Sequence, residues 1–152
     1  MNAIALKPAP AEPVLVTRLV EQEGAVRLDE STLAAFVAAP GEAALFFTED
    51  PMRFREVTDL AVILPQLSRA ASRRFRMGVL PPPLANAHAA TYGVRKWPAV
   101  VFVREGAWLG NIEGLRDWSD YLALANGLLE GPTQPLPKKV IAVAVAGAKP
   151  CA

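Results

Sequence analysis

The chain predicts one α/β domain with a mixed central β-sheet flanked by helices on both faces. Three observations carry that prediction. Helical and strand-like patterns alternate from residue 24 onward and end in a hairpin and a last helix. The runs Leu45-Phe46-Phe47 and Val100-Val101-Phe102-Val103 are apolar throughout, as strands covered on both sides are. At 152 residues and 52% apolar composition, the chain is long enough for a single buried core.

Each element has its own signal. Residues 14–21 read as a short helix or an irregular lead-in, and 24–28 as a brief extended piece. Asp29 or Ser31 suits the cap of a helix through Ala39, with Leu33, Phe36 and Val37 on one face and Pro40-Gly41 as its stop. Residues 43–48 form a buried strand, followed by a polar loop over 49–58 that contains Pro51. Residues 59–73 place Leu60, Ile63, Leu64 and Leu67 at helical spacing, and Pro65 predicts a kink. A strand over 75–80 runs into Pro81-Pro82-Pro83, which separates it from a helix over 84–92. Residues 99–104 are a strand that turns at Glu105-Gly106 into its antiparallel partner, 108–113. Asp117 caps a last helix to Leu129, and Gly131 closes it. The order is βαβαβαββα, in which a right-handed βαβ crossover precedes a hairpin and a C-terminal helix.

Composition excludes several classes. The net charge of +1 shows no acidic or basic bias, and no Lys/Arg stripe interleaved with aromatics marks a nucleic-acid surface. One cysteine, Cys151, rules out an internal disulfide framework and any cysteine-rich metal site. His88, the single histidine, has no second ligand at metal-binding spacing, so no metal or cofactor is expected. Residues 1–13 lack the pattern of a signal peptide, and the longest apolar run, 140–148, falls short of the roughly 20 residues a membrane span needs. A soluble cytoplasmic protein without membrane insertion is the expectation. Half of the 14 prolines lie in the ends, so 1–13 is expected to be a flexible tail, 14–131 the domain and 132–152 a Pro-rich tail.

Tyr92-Gly93-Val94, Pro98-Ala99, Phe102 and Gly106 together make a Y-G-V-x-x-x-P-A-x-x-F-x-x-x-G run. This run, with the element order, resembles thioredoxin over about 110 residues. Where thioredoxin carries W-C-G-P-C, Asp50, Pro51, Arg53, Glu56, Val57 and Asp59 form D-P-x-R-x-x-E-V-x-D. That pattern, Trp97-Pro98, and the Gly110-Asn111-Ile112-Glu113-Gly114 hairpin leading to Trp118 resemble the thioredoxin-like [NiFe]-hydrogenase assembly proteins of the HyaE/HupG/HoxO type. The resemblance implies a thioredoxin-like fold without C-x-x-C. It further implies a chaperone for the hydrogenase small subunit precursor, binding its twin-arginine signal peptide before export. Another hydrogenase maturation protein is a second implied partner. Two departures stand out: the tail 132–152 has no thioredoxin counterpart, and the loop after the buried strand is several residues longer.

Disulfide exchange needs a low-pKa thiolate at a helix N-terminus and a second thiol beside it. Asp50, Pro51, Met52 and Arg53 occupy that place, and thioredoxin's buried acid falls on Leu45 or Phe46, so no residue is assigned a catalytic role. Pro98 matches the cis-proline of that fold, where the preceding backbone pairs with an extended peptide; its alternative use is to shape the strand entry. Glu49, Asp50, Glu56 and Asp59 offer carboxylates to paired arginines, unless Asp59 caps the helix or Arg53 and Arg55 neutralise them. Met52, Phe54 and Trp97 offer an apolar surface beside them, with the alternative that Phe54 folds back as a loop anchor. Arg69, Arg73 and Arg74, with Arg76, suit either a solvated helix end or an acidic partner protein. The β-prone run Val140 to Val145 after Lys138-Lys139 suits a sheet edge or a partner. Two rival functions remain beside the chaperone reading: an adaptor between maturation proteins, and a single-cysteine redox protein using Cys151.

Overall fold

Ten helices and strands follow one another between Val14 and Glu130. The structure, a computed structural model, describes residues 12–137. Helix α1 (Val14–Gln22) opens on the Pro13 carbonyl, which accepts hydrogen bonds from the amides of Val16 and Thr17 at 3.0 Å. Strand β1 (Val26–Arg27) is two residues long. Asp29, rather than Ser31, organises the entry to α2 (Leu33–Ala38): its carboxylate accepts from the Ser31 amide at 2.8 Å and the Thr32 amide at 3.1 Å. The chain continues through β2 (Glu42–Phe47), α3 (Glu56–Ala70), β3 (Arg76–Leu80), α4 (Pro82–His88), β4 (Ala99–Arg104), β5 (Ala107–Glu113) and α5 (Trp118–Glu130).

The sheet order is β1-β3-β2-β4-β5. β1 and β2 both run parallel to β3, β4 runs antiparallel to β2, and β5 antiparallel to β4, so the sheet is mixed as expected. The two-residue side-chain period sends alternate residues of each strand to opposite faces. Ala44, Phe46, Val100 and Phe102 join Leu60, Leu64 and Tyr121 in a core on the side of α1, α3 and α5. Leu45, Phe47, Val101 and Val103 join Leu33, Val37 and Leu84 in a second core under α2 and α4. Helix α5 packs directly on β5 at Gly110, where an added β-carbon would stand 2.6 Å from Leu128 Cδ2.

Three boundaries differ from the sequence reading. α3 starts at Glu56, so Asp59 lies inside its first turn and is not its cap. The Asp50 carbonyl accepts from the Arg53 and Phe54 amides at 3.0 and 2.9 Å, which turns the backbone toward helix before the apolar periodicity begins. α4 starts at Pro82 and ends at His88, because a first helical turn needs no amide donors and proline suits it. Ordered contacts also continue past residue 131. The Gln134 amide donates to the Trp108 carbonyl at 2.7 Å in an antiparallel bridge, and the Pro137 ring lies 2.9 Å from where a β-carbon on Gly93 would be. At the other end, Glu12 is held by Arg27 and Thr17. The apolar run 140–145 and Cys151 lie outside the described residues.

Candidate functional site

β2, β3 and β4 bring three segments to one end of the sheet: the chain leaving β2, the proline run leaving β3, and Trp97-Pro98 entering β4. Thr48 pins the first two together, its amide and its hydroxyl both donating to the Leu80 carbonyl at 3.2 and 2.7 Å. Between them opens a cleft of about 460 Å³. Its walls are the entry to α1 (Glu12, Pro13, Val16), the loop Thr48–Pro51 with Arg53, and Pro81–Pro83.

Of the eight predicted peptide-binding residues, Glu49 and Asp50 line this cleft. Glu49 accepts from the Asn86 amide group at 2.8 Å and from the Asp50 backbone amide at 2.9 Å. The Asp50 carboxylate accepts from the Met52 amide at 2.9 Å. Met52 stands at the loop tip, 87% exposed, whereas Phe54 is half-buried against the α1/α3/α5 core. Glu56 and Asp59 lie in the first turn of α3, where the positive end of the helix dipole favours carboxylates; both are exposed. Trp97 and Pro98 do not line the cleft. They flank it at the end of β2, with the Trp97 ring 6.2 Å from that of Phe47 and their shared peptide bond cis. The Pro98 carbonyl accepts from the Gly114 amide at 2.8 Å.

None of the ion pairs among the described residues involves Glu49, Asp50, Glu56 or Asp59. Arg53 instead lies over the Phe54 ring, 5.3 Å from its centroid. Glu12 is different. Arg27 donates to its carboxylate with two nitrogens, at 2.9 and 2.5 Å, and this pairing holds Glu12 below its ordinary carboxyl pKa. The acids of the cleft are therefore held mostly by neutral donors, with Glu12 alone matched to a cation among the described residues.

The arginines after α3 diverge. Arg69 pairs with Glu23 at 3.1 Å and Arg73 with Glu42 at 3.2 Å, while Arg74 is exposed. Arg76 lies over the Phe36 ring at 4.7 Å and donates to the carbonyls of Phe36 and Ala39, at 2.7 and 3.2 Å. His88 meets Glu30 at 3.0 Å. Among the described residues no group of three or more His, Cys, Asp or Glu is placed to hold a metal ion, and no helix is long and apolar enough to cross a membrane. Leu45 and Phe46, where an oxidoreductase of this shape would keep its acid, are fully buried in the two cores.

Sequence reasoning missed the cleft's other walls. Pro81–Pro83 reads along the chain only as a break, and Glu12 as part of a tail. Three consecutive prolines after a buried strand were the one available signal, since their rings have to cover something once they leave the sheet.

These features define a class: a thioredoxin-like domain in which an acidic loop and cleft stand where a thiol pair would be. The solved structure of a mutant thioredoxin from Halobacterium salinarum supports the fold, superposing with a TM-score of 0.58 at 17% identity over 72% of this chain and 95% of its own. Within that class the chain belongs to the HyaE family, whose model, described as hydrogenase-1 expression protein HyaE, matches residues 15–121. The hydrogenase expression/formation protein HoxO of Cupriavidus necator is 36% identical over 97% of this chain and 94% of its own length. The hydrogenase expression/formation protein HupG of Rhodobacter capsulatus is 37% identical over 76% of this chain and 84% of its own.

Proposed function

We propose that this protein is a non-catalytic chaperone in [NiFe]-hydrogenase maturation. It binds the small subunit precursor through that subunit's twin-arginine signal peptide, in the cytoplasm, before export. Family membership supports the hydrogenase role. The observation that carries the peptide reading is the set of four carboxylates, Glu49, Asp50, Glu56 and Asp59, that no cation among the described residues neutralises. Paired guanidinium groups are the natural complement of such a set, because each binds a carboxylate through two parallel hydrogen bonds. Met52, Phe54 and Trp97-Pro98 supply the apolar and backbone surface for the stretch that follows the arginines, by backbone pairing at the cis-proline turn that enters β4. Arg74, with Arg69 and Arg73 behind their ion pairs, is the lesser contact, for an acidic maturation partner.

Calorimetric titration with a peptide carrying two adjacent arginines and a following apolar stretch tests the reading, at two salt concentrations. Saturable binding is expected, weaker in high salt and weakened about tenfold, or roughly 1.4 kcal/mol, in Asp50→Asn/Glu56→Gln. These substitutions remove charge and keep an acceptor oxygen at each position. An unaltered affinity in that variant, or no binding by the folded protein, removes the signal-peptide claim.

A further inference from the structure

The four carboxylates of the loop are not equivalent. Glu49 and Asp50 are half-buried and line the cleft of about 460 Å³, whereas Glu56 and Asp59 are exposed and lie outside it. An extended peptide sends neighbouring side chains in opposite directions. Two adjacent arginines therefore cannot both point into this cleft. One can enter, and its neighbour then faces outward.

The cleft has two kinds of wall. Pro13 and Val16 at the entry to α1, and Pro81–Pro83 after β3, are apolar. Val16 is only 1% exposed although it borders the cleft, so that wall is part of the packed domain. The loop supplies the acids. Asn86 orients Glu49 at 2.8 Å. Asp50 uses one carboxylate oxygen on the Met52 amide at 2.9 Å, and its other oxygen accepts no hydrogen bond among the described residues. The nearby cations are engaged elsewhere: Arg27 holds Glu12, and Arg53 lies over the Phe54 ring. An arginine side chain matches both walls. Its aliphatic stem suits the proline rings and the valine, and its planar head offers a carboxylate two parallel N–H donors. Lysine has a stem too, but ends in a strongly hydrated point charge that gains less from such a cleft and loses more water on entering it.

We propose that the cleft is a subsite for a single arginine side chain of the bound peptide, selective for arginine over lysine, an assignment that rests on the peptide reading above. The neighbouring arginine stays at the surface, met by Glu56 and Asp59 through charge alone, and that position accepts lysine. Two adjacent cations are thus read by different means, one by shape and paired hydrogen bonds, the other by an attraction that salt screens.

Calorimetric titration of the full chain with three peptides tests the subsite. They carry Arg-Arg, Lys-Arg or Arg-Lys before the same apolar stretch. One lysine peptide is expected to bind at least tenfold more weakly than Arg-Arg and the other within about threefold of it, which also reads which arginine enters the cleft. Equal losses at the two positions, or no loss at either, overturn the subsite and leave the peptide reading standing. No binding of the Arg-Arg peptide removes both. Two variants locate the selectivity. Asp50→Asn is expected to shrink the discrimination against lysine to threefold or less, whereas Glu56→Gln weakens all three peptides and keeps it. Discrimination that survives Asp50→Asn and disappears in Glu56→Gln places the selective position outside the cleft and overturns the proposal.

Discussion

At the start of β2, Glu42 faces Arg104 at 2.9 Å and Arg73 at 3.2 Å, and its side chain is only 12% exposed. Seven residues further on, past the other end of the same strand, Glu49 and Asp50 are bonded to a neutral side-chain amide and to backbone amides. The first carboxylate is committed to structure. Arg104 also donates to the carbonyls of Gly131 and Leu129 at 3.1 and 2.5 Å, so this guanidinium ties the strand pair to the end of α5. Burial pushes the Glu42 carboxyl up, the Arg104 hydrogen bond pulls it down, and the result lies below its ordinary value. The second pair of carboxylates keeps its charge unmatched while its geometry is fixed by dipoles. A strand can thus use charge for cohesion at one end and hold it ready for a ligand at the other.

Glu42→Ala is expected to have the largest effect, costing about 3 kcal/mol, because it leaves the half-buried Arg104 without its carboxylate. Chemical denaturation reads the loss, and affinity for a paired-arginine peptide stays as in the parent. Loss of binding without loss of stability would collapse the distinction between the two ends. Asp50→Asn/Glu56→Gln comes next and is the mirror image: the tenfold loss of peptide affinity stated above, with stability within about 0.5 kcal/mol of the parent. Asn86→Ala sharpens the comparison further. It removes the donor that holds Glu49 and also bonds the Pro82 carbonyl, so about 1 kcal/mol of stability should go, with a weaker effect on binding as Glu49 loses its orientation. The smallest effect is in pH. The Glu12 carboxyl is lowered from its ordinary 4.5, so its contribution is present above that value and lost as pH falls through the lowered folded value. Amide exchange at Val16 and Thr17 should therefore be independent of pH-linked opening at neutral pH and accelerate in acid below about 4.5, an effect that Glu12→Gln abolishes.

The alternation of elements was legible because β2 and β4 are covered on both faces and read as unbroken apolar runs. Helix α5 was legible to within a residue at each end, since Asp117 and Gly131 bracket a clear apolar period. The start of α3 was not, because no side chain caps it. Arg55 precedes it without a capping bond, and the turn that begins it is made by backbone amides on the Asp50 carbonyl. Asp59 resembled a cap only because it comes just before Leu60. In the site, Glu49 and Asp50 could be read from their place after the buried strand. Asn86 could not, since the bond that orients Glu49 joins residues 37 apart. For the same reason the Gln134 bridge escaped notice: a proline-rich stretch carries no pattern that names a partner across the fold.

The two hydrogen bonds from Thr48 to the Leu80 carbonyl have an evolutionary reading. Thr48 and the fully buried Val57 clamp the two stems of the loop, and the eight residues between them carry almost none of the core. Such a loop behaves as an interchangeable cartridge. Doubling its length would cost only about 0.6 kcal/mol in closure entropy, so new ligand preferences can be installed there by insertion or replacement while the scaffold folds as before.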